Sequence, residues 1–333
     1  MKMNFKSLAL AVLLTFGVTA NAKEEVKKAE EVKKVVSTKS ESVAQDIRIY
    51  TADNQGGKIN PAGVEKAFTD AGFYVTGINN MNLPFDAKYK KHPHELYYLM
   101  TFHKKDFVNT IAKKYPEIAL FTPLSMSIYT RNGEKTISIS SMSASGIAKV
   151  TGIPADNADL MAYMKEVADT MAKALPKGTF EKLSYNIAKP EGELVKRFTM
   201  EMDVEDEEIE DEVEGIQEEL EAGVETAGFV VAGFNQLVED FEKAGNKAYN
   251  FFDVYSICKV PVIYEVSKKH PEAGAFAPCS LYMYKKKDEK VVHFAYPAVY
   301  NWFSSIDVVD KESKDVLLKA QKLMNDTLAE TTE

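Results

Sequence analysis

The chain has 333 residues, 45% of them hydrophobic and 11% aromatic, which is enough apolar material for a buried core and enough length for two domains. Its formal net charge of -9 at pH 7 argues against the concentrated basic surface by which proteins hold nucleic acid. Two cysteines are too few for a disulfide-stapled scaffold, so folding must rest on hydrophobic burial.

Residues 1–22 read as a secretory signal peptide. Lys2 and Lys6 give a positive start, Leu8 to Val18 an apolar stretch, and Ala20-Asn21-Ala22 a small-x-small cleavage pattern. That stretch is shorter than the roughly 20 residues that span a bilayer, so no transmembrane anchor is expected after cleavage, and the address is periplasmic or secreted. Position 23 is Lys and not Cys, which argues against a lipid anchor. Residues 23–45 are rich in Lys, Glu, Val and Ser without an aromatic residue, and read as a charged stalk.

A first domain is expected over 46–175. Ile47 to Tyr50 reads as a strand; Val64, Ala67, Phe68 and Ala71 form a helical stripe ended by Gly72; Tyr74 to Ile78 and Tyr97 to Phe102 read as strands. Asp106 is placed to cap a helix running toward Pro116, after which Ser125 to Tyr129 turns at Arg131-Asn132-Gly133 into Thr136 to Ser140. A long helix from about Asp156 to Ala174 closes the unit.

Residues 176–190, with Gly178 and two terminal prolines, read as a linker, and a second domain is expected over 191–330. Its elements are a strand at Leu194 to Met200, a helix, strands at Val230 to Phe234 and Phe251 to Ile257, a helix at Val262 to Lys269, a hairpin from Leu281 to Ala295 and a helix at Ser313 to Leu328. The acidic run Asp203 to Glu221 belongs to the first of these helices. Val204, Ile209, Val213, Ile216, Leu220 and Val224 recur in it at helical spacing, and it lacks the glycine turn of a Ca²⁺ loop.

The two halves are copies of one another. Residues 113–129 (KKYPEIALFTPLSMSIY) match 268–284 (KKHPEAGAFAPCSLYMY) at an offset of 155, since 268 − 113 = 155, and Ala71-Gly72-Phe73 matches Ala227-Gly228-Phe229 at 156. A spacing this long marks a duplicated domain and not a solenoid. The expected fold class is α+β: two repeated domains, each an antiparallel sheet of about four to five strands packed by helices.

Chemistry concentrates in the second copy, where Cys258 closes one strand and Cys279 opens another. They admit three readings: two buried small hydrophobes, a disulfide, or a reactive or metal-binding thiol pair. Parallel strands would hold them far apart; antiparallel strands would bring both to one edge. A metal site would need further ligands, of which His270 and His293 are the nearest in sequence. Tyr296, Tyr300 and Trp302 are either packing residues or the lining of a cleft near Cys279.

The segment SICKVPVIYEVSKKHPEAGAFAPCSLYMY resembles the signature of the family known as domain of unknown function 302 (DUF302), with Cys258, Pro261, Pro278 and Cys279 in the places of its cysteines and prolines. The resemblance implies a compact α+β domain with an antiparallel sheet in a TBP-like arrangement, which favours neighbouring thiols, and implies no established activity. The first copy departs from the signature, with His103 where Cys258 stands and Leu124 where Cys279 stands. It is expected to serve as the packing partner of an intramolecular pseudo-dimer; the other reading joins His103 with His92 and His94 in a different site.

No Gly-rich phosphate loop, serine nucleophile elbow or His-Glu-x-x-His helix occurs, and nothing in the sequence names a cofactor or an external partner. The leading functional expectation is an exported, non-enzymatic binding or accessory protein, with a small-ligand or metal site near Cys258, Cys279, Pro278 and Tyr296. The alternatives are a thiol-disulfide redox or sulfur-handling protein, and a purely structural pair of domains.

Overall fold

The matched Ala-Gly-Phe triplets close the first α-helix of each domain. Gly72 (φ +81°) and Gly228 (φ +75°) occupy the left-handed region, where a helix ends and the chain reverses into a strand without the penalty a side chain would add. We describe residues 45–183 and 189–333 from a computed structural model of the chain; the expected signal peptide and stalk lie outside the described residues, apart from Gln45.

The first domain comprises β1 (Ile47–Asp53), α1 (Pro61–Asp70), β2 (Tyr74–Asn80), α2 (Asn82–Tyr89), β3 (His94–His103) and α3 (Lys105–Ala112). A 3₁₀ segment (Pro116–Phe121), β4 (Leu124–Arg131), β5 (Thr136–Met142), α4 (Ala144–Thr151), α5 (Ala158–Ala174) and the short β6 (Thr179–Phe180) complete it. Helix starts follow local chemistry. Asn60 accepts the Gly63 amide with Pro61 in the first turn, and Asn157 accepts the Leu160 amide. Asp106 does not cap α3. Lys104 is the cap residue, and Asp106 lies in the first turn, where its charge still favours the helix N-terminus.

The second domain repeats the plan with β7 (Val195–Glu201), α6 (Ile209–Thr226), β8 (Val230–Gln236), α7 (Val238–Lys243), β9 (Tyr249–Cys258) and α8 (Val260–Ser267). A 3₁₀ segment (Pro271–Phe276), β10 (Cys279–Lys286), β11 (Val291–Pro297), α9 (Tyr300–Ile306) and α10 (Lys311–Thr331) follow. The acidic run is helical from Asp206 onward, first as a 3₁₀ turn (Asp206–Glu208) and then as α6; Asp203 to Glu205 precede the helix, so Val204 is not part of its stripe. Ile209, Val213, Ile216, Leu220 and Val224 are buried, and Glu210, Asp211 and Glu212 sit in the first turn, where acidic charge is favourable.

Both sheets are antiparallel and share one order. The first runs β2-β3-β4-β5-β1-β6 and the second β8-β9-β10-β11-β7, so the fold is α+β with two similar domains. The first sheet has six strands rather than four to five, because residues expected in the linker add β6 to the edge beside β1, where the Tyr50 hydroxyl also donates to the Gly178 carbonyl at 2.8 Å. One face of the second sheet packs on α6 and α10 through Tyr255, Ile257, Leu281, Met283 and Phe294. Among the described residues no helix is long and apolar enough to cross a membrane.

The two domains bind each other reciprocally. Ser125 donates to the Pro278 carbonyl at 2.9 Å, and its repeat counterpart Ser280 donates to the Pro123 carbonyl at 3.5 Å. The 3₁₀ segment of each domain lies on the other's sheet, but unequally. That of the second domain sits against β4 and β5, where Ser140 donates to the Glu272 carbonyl and Tyr97 to the Pro271 carbonyl. A β-carbon on Gly274 would fall 2.4 Å from Ser127 Cβ and 2.7 Å from Leu99 Cδ2, so the close approach requires glycine. Lys105 to Asp240 and the stacked rings of Tyr89 and Tyr264 close the flanks.

Candidate functional site: a cavity at the cysteine end of the second sheet

Strands β9 and β10 are antiparallel neighbours, so Cys258 and Cys279 come to the same end of the second sheet. The register places Cys279 opposite Ile257, one residue before Cys258, and strand alternation therefore turns the two side chains toward opposite faces. The thiols are not bonded to each other. The Cys279 thiol instead donates to the Phe276 carbonyl at 3.2 Å. Burial pushes both thiols up to about 12, so each is held protonated and is a poor nucleophile.

A cavity of about 70 Å³ opens beside both cysteines, room for a few water-sized groups. Its walls are almost wholly apolar: Phe229, Ile257, Val262, Leu317 and Ala320, with Trp302 on one side. The cavity has a cause that can be read by comparing the domains. Leu160, Val167, Thr170 and Met171 on α5 follow the same buried pattern as Leu317, Met324, Thr327 and Leu328 on α10, which sets Tyr163 against Ala320. In the first domain the same place is filled by rings. Phe107 stacks on Tyr163 at 5.4 Å, and Phe73 lies 5.6 Å from Phe102 and 6.4 Å from Tyr163. The repeat puts Ile257 where Phe102 stands, Val262 where Phe107 stands and Cys279 where Leu124 stands, so the second domain leaves open what the first one packs.

One lysine is kept in both copies. Lys104 donates to the Ala71 carbonyl at 3.1 Å and pairs with Glu166 at 2.7 Å. Lys259 likewise donates to the Ala227 carbonyl and lies over the Phe229 ring at 4.4 Å. Among the described residues no carboxylate pairs with it, because the α10 position matching Glu166 is Leu323. Burial holds Lys259 below its ordinary range, and Lys88 and Lys319 add to that as like charges.

Of the other residues singled out in the sequence, Tyr296 lines the cavity and donates to Asn325 Oδ1 at 2.7 Å, and burial raises its pKa. Pro278 adjoins the lining residues Ala277 and Cys279, with its carbonyl engaged by Ser125. His293 is not brought to the cysteines. It pairs across from Tyr284, five residues along β10 from Cys279 or roughly 17 Å at 3.4 Å per residue, and it binds Glu289 at 2.8 Å. His270 binds Glu272 at 3.2 Å. Among the described residues no group of three or more His, Cys, Asp or Glu side chains is arranged to hold a metal ion.

In the first domain, Leu124 is fully buried opposite Phe102, and His103 is buried at the end of β3, which lowers its pKa to about 4. His94 begins the same strand, roughly 30 Å away at 3.3 Å per residue, and bonds the Ser267 carbonyl of the second domain; His92 pairs with Asp86. The three histidines do not form one site.

Residues 206–330 match the family model described as "Domain of unknown function DUF302". This part of the chain is a DUF302 domain. A crystal structure described as an uncharacterized conserved protein DUF302 from Bacillus stearothermophilus is similar to 41% of this chain and 98% of its own, at 17% identity and a TM-score of 0.33. No curated protein matches the sequence.

Tyr300 packs against Phe303 rather than lining the cavity. Sequence reasoning found the cysteines, Tyr296 and Trp302 but not Lys259, Val262 or Ala320. Two of these were within reach: aligning the repeats pairs Phe107 with Val262 and shows Lys104 and Lys259 to be shared. Ala320 was not, because the last helix slips in register between the copies and only the buried stripe restores it.

Proposed function

We propose that this is an exported, non-enzymatic binding protein in which the DUF302 domain takes a small apolar ligand into the cavity bordered by Cys258 and Cys279, and the first domain is its fixed partner in an intramolecular pseudo-dimer. The observation behind this reading is the asymmetry of the two copies: rings fill the place in one domain that smaller side chains leave open in the other. A cavity lined by apolar groups with a few polar ones at its border is the usual form of a small-molecule site. Export rests on the signal-like residues 1–22. The raised thiol pKa values and the lack of a bond between the cysteines favour their service as lining groups over redox cycling.

The chain has one tryptophan, and it borders the cavity, so Trp302 fluorescence reports occupancy directly. Titration with 1-hexanol is expected to change that emission saturably, and Val262→Phe with Cys279→Leu, which install the first domain's residues, is expected to abolish the response in a protein that remains folded. A linear, non-saturating response in the parent, or an unchanged response in the filled variant, would refute the proposal.

A further inference from the structure

We infer that the ligand is an anionic amphiphile, with an aliphatic end in the DUF302 cavity and an anionic head at the Lys259 ammonium. This inference rests on the cavity being a binding site and adds the charge of what it binds.

Four observations converge on it. Lys259 lines the cavity and is held by neutral partners alone, a backbone carbonyl and the face of the Phe229 ring, whereas its counterpart Lys104 is neutralised by Glu166. The exchange that removes the carboxylate, Glu166 to Leu323, lies on the same helix face region as the exchange of Tyr163 for Ala320 that helps open the cavity. Space and uncompensated positive charge are therefore gained together in one domain and are both absent from the other. Lys319, next to the lining residue Ala320 on α10, and Lys88 on α2, which packs against α8, add positive charge around the same ammonium. The first turn of α8 also borders the cavity through Val262 and Ile263, with no side chain capping it, so the positive end of that helix faces the same region.

A partly buried cation without a counter-ion is costly, and an anion that supplies one recovers that cost while its tail covers apolar surface. A neutral molecule of the same shape recovers only the second part. A cationic amphiphile would bring a like charge against Lys259.

The test compares three probes with one tail: hexanoate, 1-hexanol and hexylamine, each titrated against Trp302 emission in the full chain at low and high salt. The expected result is half-saturation by hexanoate at a concentration at least tenfold below that of 1-hexanol, with hexylamine weakest. Added salt is expected to weaken hexanoate and leave 1-hexanol unchanged. Lys259→Met is expected to bring hexanoate to the level of 1-hexanol, Lys259→Arg to keep the advantage, and Lys319→Ala, at an exposed position, to reduce it about twofold. Should Lys259→Met fail to fold, the Lys319→Ala and salt results decide alone. Equal binding of hexanoate and 1-hexanol would overturn the inference and leave the apolar cavity standing, whereas saturable binding of none of the three would overturn both. A folded Lys259→Met protein that keeps the hexanoate advantage would also overturn the inference.

Discussion

Replacing Asp253 with asparagine should stabilise the protein above neutral pH and do almost nothing in acid. Asp253 is buried between the second sheet and α6; Gln217 donates to its Oδ2 at 2.8 Å, and Oδ1 has no partner. Burial, the larger effect, raises its carboxyl from 3.8 to about 6 against the smaller lowering by Gln217. An acid whose folded pKa is raised keeps its proton longer in the native state, so stability is greatest below the unfolded pKa and declines as pH climbs through the window from about 3.8 to about 6. At 1.36 kcal/mol per pH unit the full loss is about 3 kcal/mol, an upper figure for a group that relaxes and draws in water. The amide of Asp253→Asn keeps an acceptor for Gln217 and never ionises. Urea midpoints at pH 4 and pH 7.5 should therefore differ in their response to the substitution: a gain of about 1–3 kcal/mol at pH 7.5 and close to none at pH 4. A gain equal at the two pH values, or a loss at pH 7.5, would refute the account of Asp253 as a buried and poorly compensated acid.

Gly274→Ala should cost about 1–3 kcal/mol in the same urea assay, because the new methyl meets Ser127 Cβ and Cα as well as Leu99, and backbone atoms cannot swing aside. Both cysteines should resist iodoacetamide at pH 7.5 in the native protein and react fully in urea, as counted by intact mass; rapid native alkylation of both would contradict the raised pKa values. His103 is buried, chiefly desolvated and beside Lys105, with its pKa lowered from 6.5 to about 4, so the native state resists protonation and stability falls as pH drops across that window. His103→Gln should flatten that acid limb, and an unchanged slope between pH 6.5 and pH 4 would count against it.

Much of the fold was legible because its signals are local. The alternation and turn at Arg131-Asn132-Gly133 give β4 and β5, and the stripe from Ile209 to Val224 gives α6 despite its acidity. Short elements escaped. Helices α2, α4, α7 and α9 are only six to eight residues long, too brief for a periodic pattern to stand out, and several are fixed by tertiary contacts such as Phe85 against Tyr264. The two-residue β6 exists only because β1 offers it an open edge. For the candidate site, Cys258 and Cys279 could be named from sequence, and so could their antiparallel fork. Which face each thiol takes depends on the register of Cys279 against Ile257, which a one-residue slip would reverse. The cavity itself is a volume left by four substitutions on four different elements, and a volume has no local sequence pattern.

Diffraction from crystals pressurised with xenon tests most directly the claim that the DUF302 domain has an apolar binding cavity where its duplicate has a packed core. The account predicts xenon density beside Cys279, Ala320 and Trp302, and none between Phe102, Phe107 and Tyr163. Density at both places, or at neither, would contradict it.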